Sequence, residues 1–255
     1  MPDLTFRKEF PIHSYELDFE GLARPVALLN FLQDAAGDHA AHLGWSVTDL
    51  LKKNMTWVLS RTHLRVERYP AWGESLTVLT WPSGRKGYFA LRDFEVSDGE
   101  GNTIATATTS WMVLDLGRKQ PLKVDDILPD NFLLEKRALA DDFGSLPVLD
   151  RPDHELSFRV DSGHLDLNRH VNNAIYVQWA LEAVPAAAAG RLRPVGIEVS
   201  YRAEAFYGDL VLSRAKVAPE AAVPESGTPA SLIVLHQIVN ASTGAELSRL
   251  RTRWK

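Results

Sequence analysis

The sequence is written twice, and that repetition constrains the fold more than any other feature. In the first half VLSRTHLRVERYP, SLTVLTWP, YFALRDFEVSDGEG and NTIATATTSWMVLDL are runs rich in Val, Thr and aromatic residues, broken by Pro and Gly. Such runs read as strands, and SDGEGN between two of them as a hairpin turn. The second half repeats the theme in GIEVSYRAEAF, DLVLSRAKV, SLIVLHQIVNASTG and AELSRLRTRWK. Details recur as well. Gly101 precedes Trp111 as Gly244 precedes Trp254, and Trp72-Gly73-Glu74 falls on Tyr207-Gly208-Asp209. Ahead of each meander lies a strand and then one apolar helix, PVALLNFLQDAAGDHAAHL in the first half and VNNAIYVQWALEAV in the second. A helix that is apolar all round has to be buried.

An antiparallel sheet curled around that helix satisfies both elements, so each half reads as a hot-dog unit. The expected class is α+β: a double hot-dog fold, two tandem repeats each with a long helix wrapped by an antiparallel sheet. The units are expected at 1–120 and 154–255. The charged, Pro-punctuated stretch 121–153 reads as a linker, with one short helix around FLLEKRALA.

The second helix has an unusual front end. HLDLNRHVNN sets Asp166, Asn168, His170, Asn172 and Asn173 just before a greasy helix. One asparagine suffices as a cap. Placing Arg169-His170-Val171 on Arg24-Pro25-Val26 sets Asp166 on Gly21, Asn168 on Ala23 and His170 on Pro25. In that register the other copy folds without the polar set, so the set points to function. A helix N-terminus offers N–H groups and a positive dipole end to a carbonyl oxygen gaining negative charge. Asp, Asn and His beside it supply a base, an orienting amide and a proton carrier. That chemistry suits acyl transfer or hydrolysis. A metal reading has two good ligands at most and no ligand spacing nearby, so none is expected.

Composition removes other classes. With no cysteine, a disulfide scaffold, a cysteine zinc site and a thiol nucleophile are all excluded. A net charge of -5 argues against nucleic-acid binding. No apolar run has signal-peptide or membrane-span character, so a cytoplasmic protein is expected.

The motifs carry a family resemblance. LDLNRHVNNAIYVQWALEAVP, KKNMTWVLSRTHLRVERYPAWGESLTVLTW, FPIHSYE and NFLQDAA together resemble the signatures of the acyl-acyl-carrier-protein thioesterases, over nearly the whole chain. The resemblance implies a double hot-dog fold, no cofactor, and hydrolysis of a fatty acyl thioester on the phosphopantetheine arm of acyl carrier protein. It implies that Asp166, Asn168 and His170 are catalytic, joined by Glu204 from the Tyr201-Arg202-Ala203-Glu204 motif. Two routes stay open: Asp166 attacks the thioester, or it activates water, with Glu204 positioning that water or shuttling a proton. Plant members often carry Cys after that Glu; here it is Ala205, which removes a papain-like mechanism.

By the same resemblance the first unit shapes the acyl pocket, with Leu28, Leu29, Leu32, Ala36, Met55 and Trp57 as lining candidates, and Asn172 and Asn173 touch substrate. Each lining candidate taken alone reads as core, and His39 and His42 read as structural or cleft-edge residues. The chain begins at its first strand as bacterial members do, and pairing into a homodimer is open. Arg249, Arg251, Arg253 and Lys255 alternate with Leu250, Thr252 and Trp254, so one strand face is expected to carry four cations for docking an acidic carrier. Rival readings are an acyl-CoA thioesterase, a non-catalytic acyl-thioester-binding protein and a hot-dog dehydratase.

Overall fold

The computed structural model describes residues 3–129, 131–190, 192–218 and 231–255. The chain divides into two compact units, Met1–Asp142 and Phe143–Lys255. The first holds β1 (Phe6–Pro11), α1 (Pro25–His42), α2 (Val47–Leu51), β2 (Met55–Val66), β3 (Ser75–Lys86), β4 (Phe89–Ser97), β5 (Thr103–Asp115) and β6 (Gln120–Leu122). Its antiparallel strands run in the order β1-β3-β4-β5-β2, with β6 on β5. The second holds β7 (His154–Arg159), α3 (Asn173–Glu182), α4 (Ala186–Ala189), β8 (Pro194–Tyr201), β9 (Leu210–Ala218), β10 (Leu232–Asn240) and β11 (Glu246–Trp254). Its order is β7-β9-β10-β11-β8, the same path in the same sequence of connections.

In each unit the sheet packs on the long helix. Helix α1 starts with Pro25 in its first turn, where a missing N–H is harmless. It lies against β1 and β3 and buries Leu28, Leu29, Phe31, Leu32, Ala35, Ala36 and His39. Each such Leu contributes about 1.5–3 kcal/mol on leaving water. Phe31 stacks on Phe10 of β1 at 4.7 Å between ring centroids. Helix α3 starts at the Asn172 cap and packs on β9, β10 and β11, burying Tyr176, Val177, Trp179 and Ala180. The repeat reaches single atoms: the Trp111 and Trp254 indoles each donate 2.8 Å to the threonine two residues earlier, Thr109 and Thr252. Gly73 and Gly208 both sit at positive φ, 82° and 86°, where a side chain is disfavoured.

The stretch expected to be a linker is docked, and no helix forms around FLLEKRALA. Its backbone groups are bound to strands instead. Leu134 N donates to Pro82 O and the Trp81 indole donates to Lys136 O. Asp93, fully buried on β4, accepts from Arg137 Nε and Ala138 N as well as from Ser83 and Thr108. Beyond the division, Leu146 and Leu149 are buried in the second unit, and Asp153 N donates to Ala215 O.

Candidate functional site

The polar turn before α3 is built around the Asp166 carboxylate. Its Oδ1 accepts the backbone N–H of Asn168 at 2.8 Å and of His170 at 3.4 Å. The backbone closes the same loop: Asp166 N donates to His170 O, and Arg169 N to Asp166 O. Arg169 takes φ 64° to make the bend. Asp166 Oδ2 has a long contact, 3.5 Å, with the Asn168 side-chain amide.

The first unit makes an identical turn, and this corrects the register read from sequence. Asp18 Oδ1 accepts from Glu20 N at 2.9 Å and Leu22 N at 3.2 Å, while Asp18 N donates to Leu22 O and Gly21 N to Asp18 O. Gly21 takes φ 78°. Asp166 therefore stands on Asp18, not on Gly21, and the expectation that the other copy lacks the carboxylate is wrong. Its job there is structural: an Asx-type turn that feeds the chain into the helix. Asn168 falls on Glu20, His170 on Leu22 and the Asn172 cap on Arg24. The signal was in the sequence, as Leu17-Asp18 matches Leu165-Asp166. What the second unit adds is Asn168 and His170.

His170 also gains a partner. Glu204 Oε1 lies 3.2 Å from His170 Nδ1, with the two side chains 54% and 35% exposed. The Phe206 ring meets the imidazole edge-on at 5.1 Å. Between Glu204 and Phe206, Ala205 is fully buried: its carbonyl accepts from Val171 N and its N–H donates to the Tyr176 hydroxyl at 2.9 Å. Burial pushes the Tyr176 phenol well above its ordinary range, and the charges of Glu204, Asp209 and Asp166 add to that, so it stays neutral. Asn172 caps α3 through Ala174 N, and the Asn173 carbonyl accepts from the Tyr201 hydroxyl. The site thus gathers one carboxylate held by its own turn, an amide, and an imidazole paired with a second carboxylate. A metal ion taking His170 Nδ1 would have to displace Glu204.

In the first unit Leu28, Leu29, Leu32 and Ala36 are all buried on α1. Met55 and Trp57 are half-buried on β2, and the Trp57 indole donates to Trp45 O at 2.8 Å. His39 is buried core, stacked on Phe6 and bonded to Arg92.

The four-cation stripe needs correction. The alternation is as expected, since Leu250, Thr252 and Trp254 point inward. However, β11 is paired on both sides, by β8 and β10. Arg249 is 9% exposed and held bidentately by Glu246, and Arg251 is held bidentately by Glu198. Arg253 and Lys255 are the exposed cations that remain.

Comparison with known proteins bears on what these groups do. Residues 3–132 match the family model of the acyl-ACP thioesterase N-terminal domain, and residues 149–255 that of the C-terminal domain. The chain is 31% identical to a chloroplastic palmitoyl-acyl carrier protein thioesterase of Arabidopsis thaliana, over 98% of this chain and 64% of that one. It is 26% identical to oleoyl-acyl carrier protein thioesterase 2 of the same plant, over 98% of this chain and 77% of that one. The solved 12:0-ACP thioesterase of Umbellularia californica superposes with a TM-score of 0.85 at 26% identity, covering 100% of this chain and 95% of that one.

Proposed function

The chain belongs to the acyl-ACP thioesterase family, and from that premise we propose how its second unit carries out the family reaction. The reaction is hydrolysis of a fatty acyl thioester on acyl carrier protein, giving free fatty acid and carrier. Water adds to the thioester carbon as a C–O bond forms and the C–S bond breaks. Its proton passes to His170 Nε2 and then to the leaving sulfur. Glu204 holds the imidazole by Nδ1, so that Nε2 carries the lone pair, and stabilises the imidazolium that forms. Asn168 donates its amide N–H to the thioester oxygen as charge builds there. Asp166 keeps Oδ1 on the turn and orients the Asn168 amide with Oδ2. Asp166 Oδ1 is committed to two N–H bonds, so direct attack by this residue would come from Oδ2, and that route is the alternative to the water route.

The observation that carries this reading is the 3.2 Å contact between Glu204 and His170, on a turn that the first unit builds with Leu22 in the histidine's place. One turnover in 18O-labelled water tests it. The fatty acid should carry the label from the first turnover; unlabelled acid would instead mean attack by Asp166. Turnover of one acyl chain on carrier protein and on coenzyme A separates the carrier-protein enzyme from an acyl-CoA thioesterase, and binding without turnover would mark a non-catalytic binder. Leu28, Leu29, Leu32, Ala36, Met55 and Trp57 are proposed to line the acyl pocket, with Asn172 and Asn173 near the thioester. Carrier docking is narrowed to Arg253 and Lys255. Among the described residues no helix is long and apolar enough to cross a membrane. A cytoplasmic site of action and a homodimer are proposals that cell fractionation and sedimentation of the full chain test.

A further inference from the structure

The two units treat one backbone position differently, and the difference centres on Tyr176. In the first unit Ala23 N donates to Pro70 O at 2.8 Å; in the second Val171 N donates to Ala205 O at 3.1 Å. Pro70 and Ala205 are thus counterparts, and both are buried. Proline has no N–H to satisfy. Ala205 has one, and it is fully buried, where a donor left without an acceptor destabilises the fold. The residue in the fourth helical position answers to this. It is Leu28 in α1 and Tyr176 in α3. Leucine stands where no acceptor is needed, and a tyrosine hydroxyl, 2.9 Å from Ala205 N, stands where one is.

Holding Ala205 has consequences for its neighbours. Its carbonyl is tied to Val171, the residue after His170, and its N–H to α3. Glu204 on one side reaches His170 Nδ1, and Phe206 on the other packs against the same ring. Glu204 itself is 54% exposed on its side chain, so little packing restrains it. Its position depends on the backbone that carries it. Tyr176 is 3% exposed, and its ring is wedged edge-on against Trp179 and Tyr201, which fixes the hydroxyl.

We propose that Tyr176 is a positioning residue for the hydrolysis, its hydroxyl clamping the Ala205 N–H so that Glu204 is held against His170. The proposal rests on the catalytic reading of Glu204 and His170 above. It predicts that Tyr176 acts through Glu204.

A double-mutant cycle on the full chain tests it, with thiol release from acyl carrier protein as the assay; the enzyme has no cysteine to interfere. Tyr176→Phe should lower kcat about 10-fold with KM within about twofold, because the loss falls on transition-state stabilisation. In a Glu204→Gln background the same substitution should cost less than about twofold, the sign of two residues acting as one unit. Equal losses in both backgrounds, or no loss in either, would overturn the inference and leave Tyr176 as packing. If Glu204→Gln alone leaves kcat unchanged, the catalytic reading falls and takes this inference with it. Where Tyr176→Phe does not fold, Tyr176→Leu with Ala205→Pro copies the pair the first unit folds with, and the same dependence on Glu204 is expected.

Discussion

Asp166 is expected to have two separable jobs, and the first unit supplies the means to separate them. Asp18 and Asp166 build the same turn, each accepting two backbone N–H groups through Oδ1, at 2.9 and 3.2 Å and at 2.8 and 3.4 Å. Both turns are partly solvent-exposed, so each bond contributes about 0.5–1 kcal/mol net, or about 1–2 kcal/mol per turn. For a chain of this size that is a fall in Tm of roughly 2–8 °C. Asp18→Ala and Asp166→Ala should therefore destabilise alike, by calorimetry or urea unfolding. Their activities should diverge. Asp18→Ala should keep kcat within about twofold, while Asp166→Ala, which also frees the Asn168 amide, should lower it about 100-fold, the scale of a lost oxyanion donor. Comparable activity losses in the two variants would refute the reasoning, because they would make the Asp166 effect one of turn stability alone. An unchanged Tm for both would refute the structural half.

Replacing His170 by Ala should lower kcat about 100-fold or more with little change in Tm, since Leu22 occupies its place in the first unit; near-normal turnover would place the chemistry elsewhere. Enlarging or trimming Leu32 or Trp57 should move the preferred acyl chain length, read from product profiles, whereas a uniform loss would return both to the core. Arg253→Glu with Lys255→Glu should raise KM for acyl carrier protein and leave a short acyl-CoA unaffected; equal effects on both would remove the docking role. Burial, with Arg92 adding its charge, holds His39 down to about 4, and burial holds His236 down to about 3. Both are neutral in the fold and take up protons near pH 6.5 when unfolded, so stability is full above that pH and falls as pH drops toward 4 and then 3. Between pH 6.5 and 5 each contributes a loss of up to about 2 kcal/mol, and a urea midpoint that stays flat over that range would contradict this.

Local patterning gave the architecture. Strand runs, Gly turns and two apolar helices predict each unit, because burial of a helix that is apolar all round leaves few arrangements. Helix α1 forms over Pro25–His42 and the strands follow the expected meander. Residues 131–142 misled, since FLLEKRALA has helix-forming composition but its backbone donors and acceptors bind β3 and β4, and those partners are distant in sequence. The four-cation stripe misled for a like reason: alternation fixes the face, but Glu198 and Glu246 decide whether a charge on that face is free. At the site, Asp166, Asn168 and His170 were legible as a cluster. The Asp18 turn was obscured because a register shifted by three residues also aligned apolar positions. Glu204 came only from the motif, and in the sequence nothing sets Tyr176 apart from the other apolar and aromatic residues of its helix. Sequence by itself determined which residues are apolar, which turn and which repeat, since these are properties of neighbours along the chain. Tertiary structure decided which carboxylate meets His170 and which N–H needs the Tyr176 hydroxyl, because hydrogen bonds depend on ångström-scale approach between segments that the folded core alone brings together.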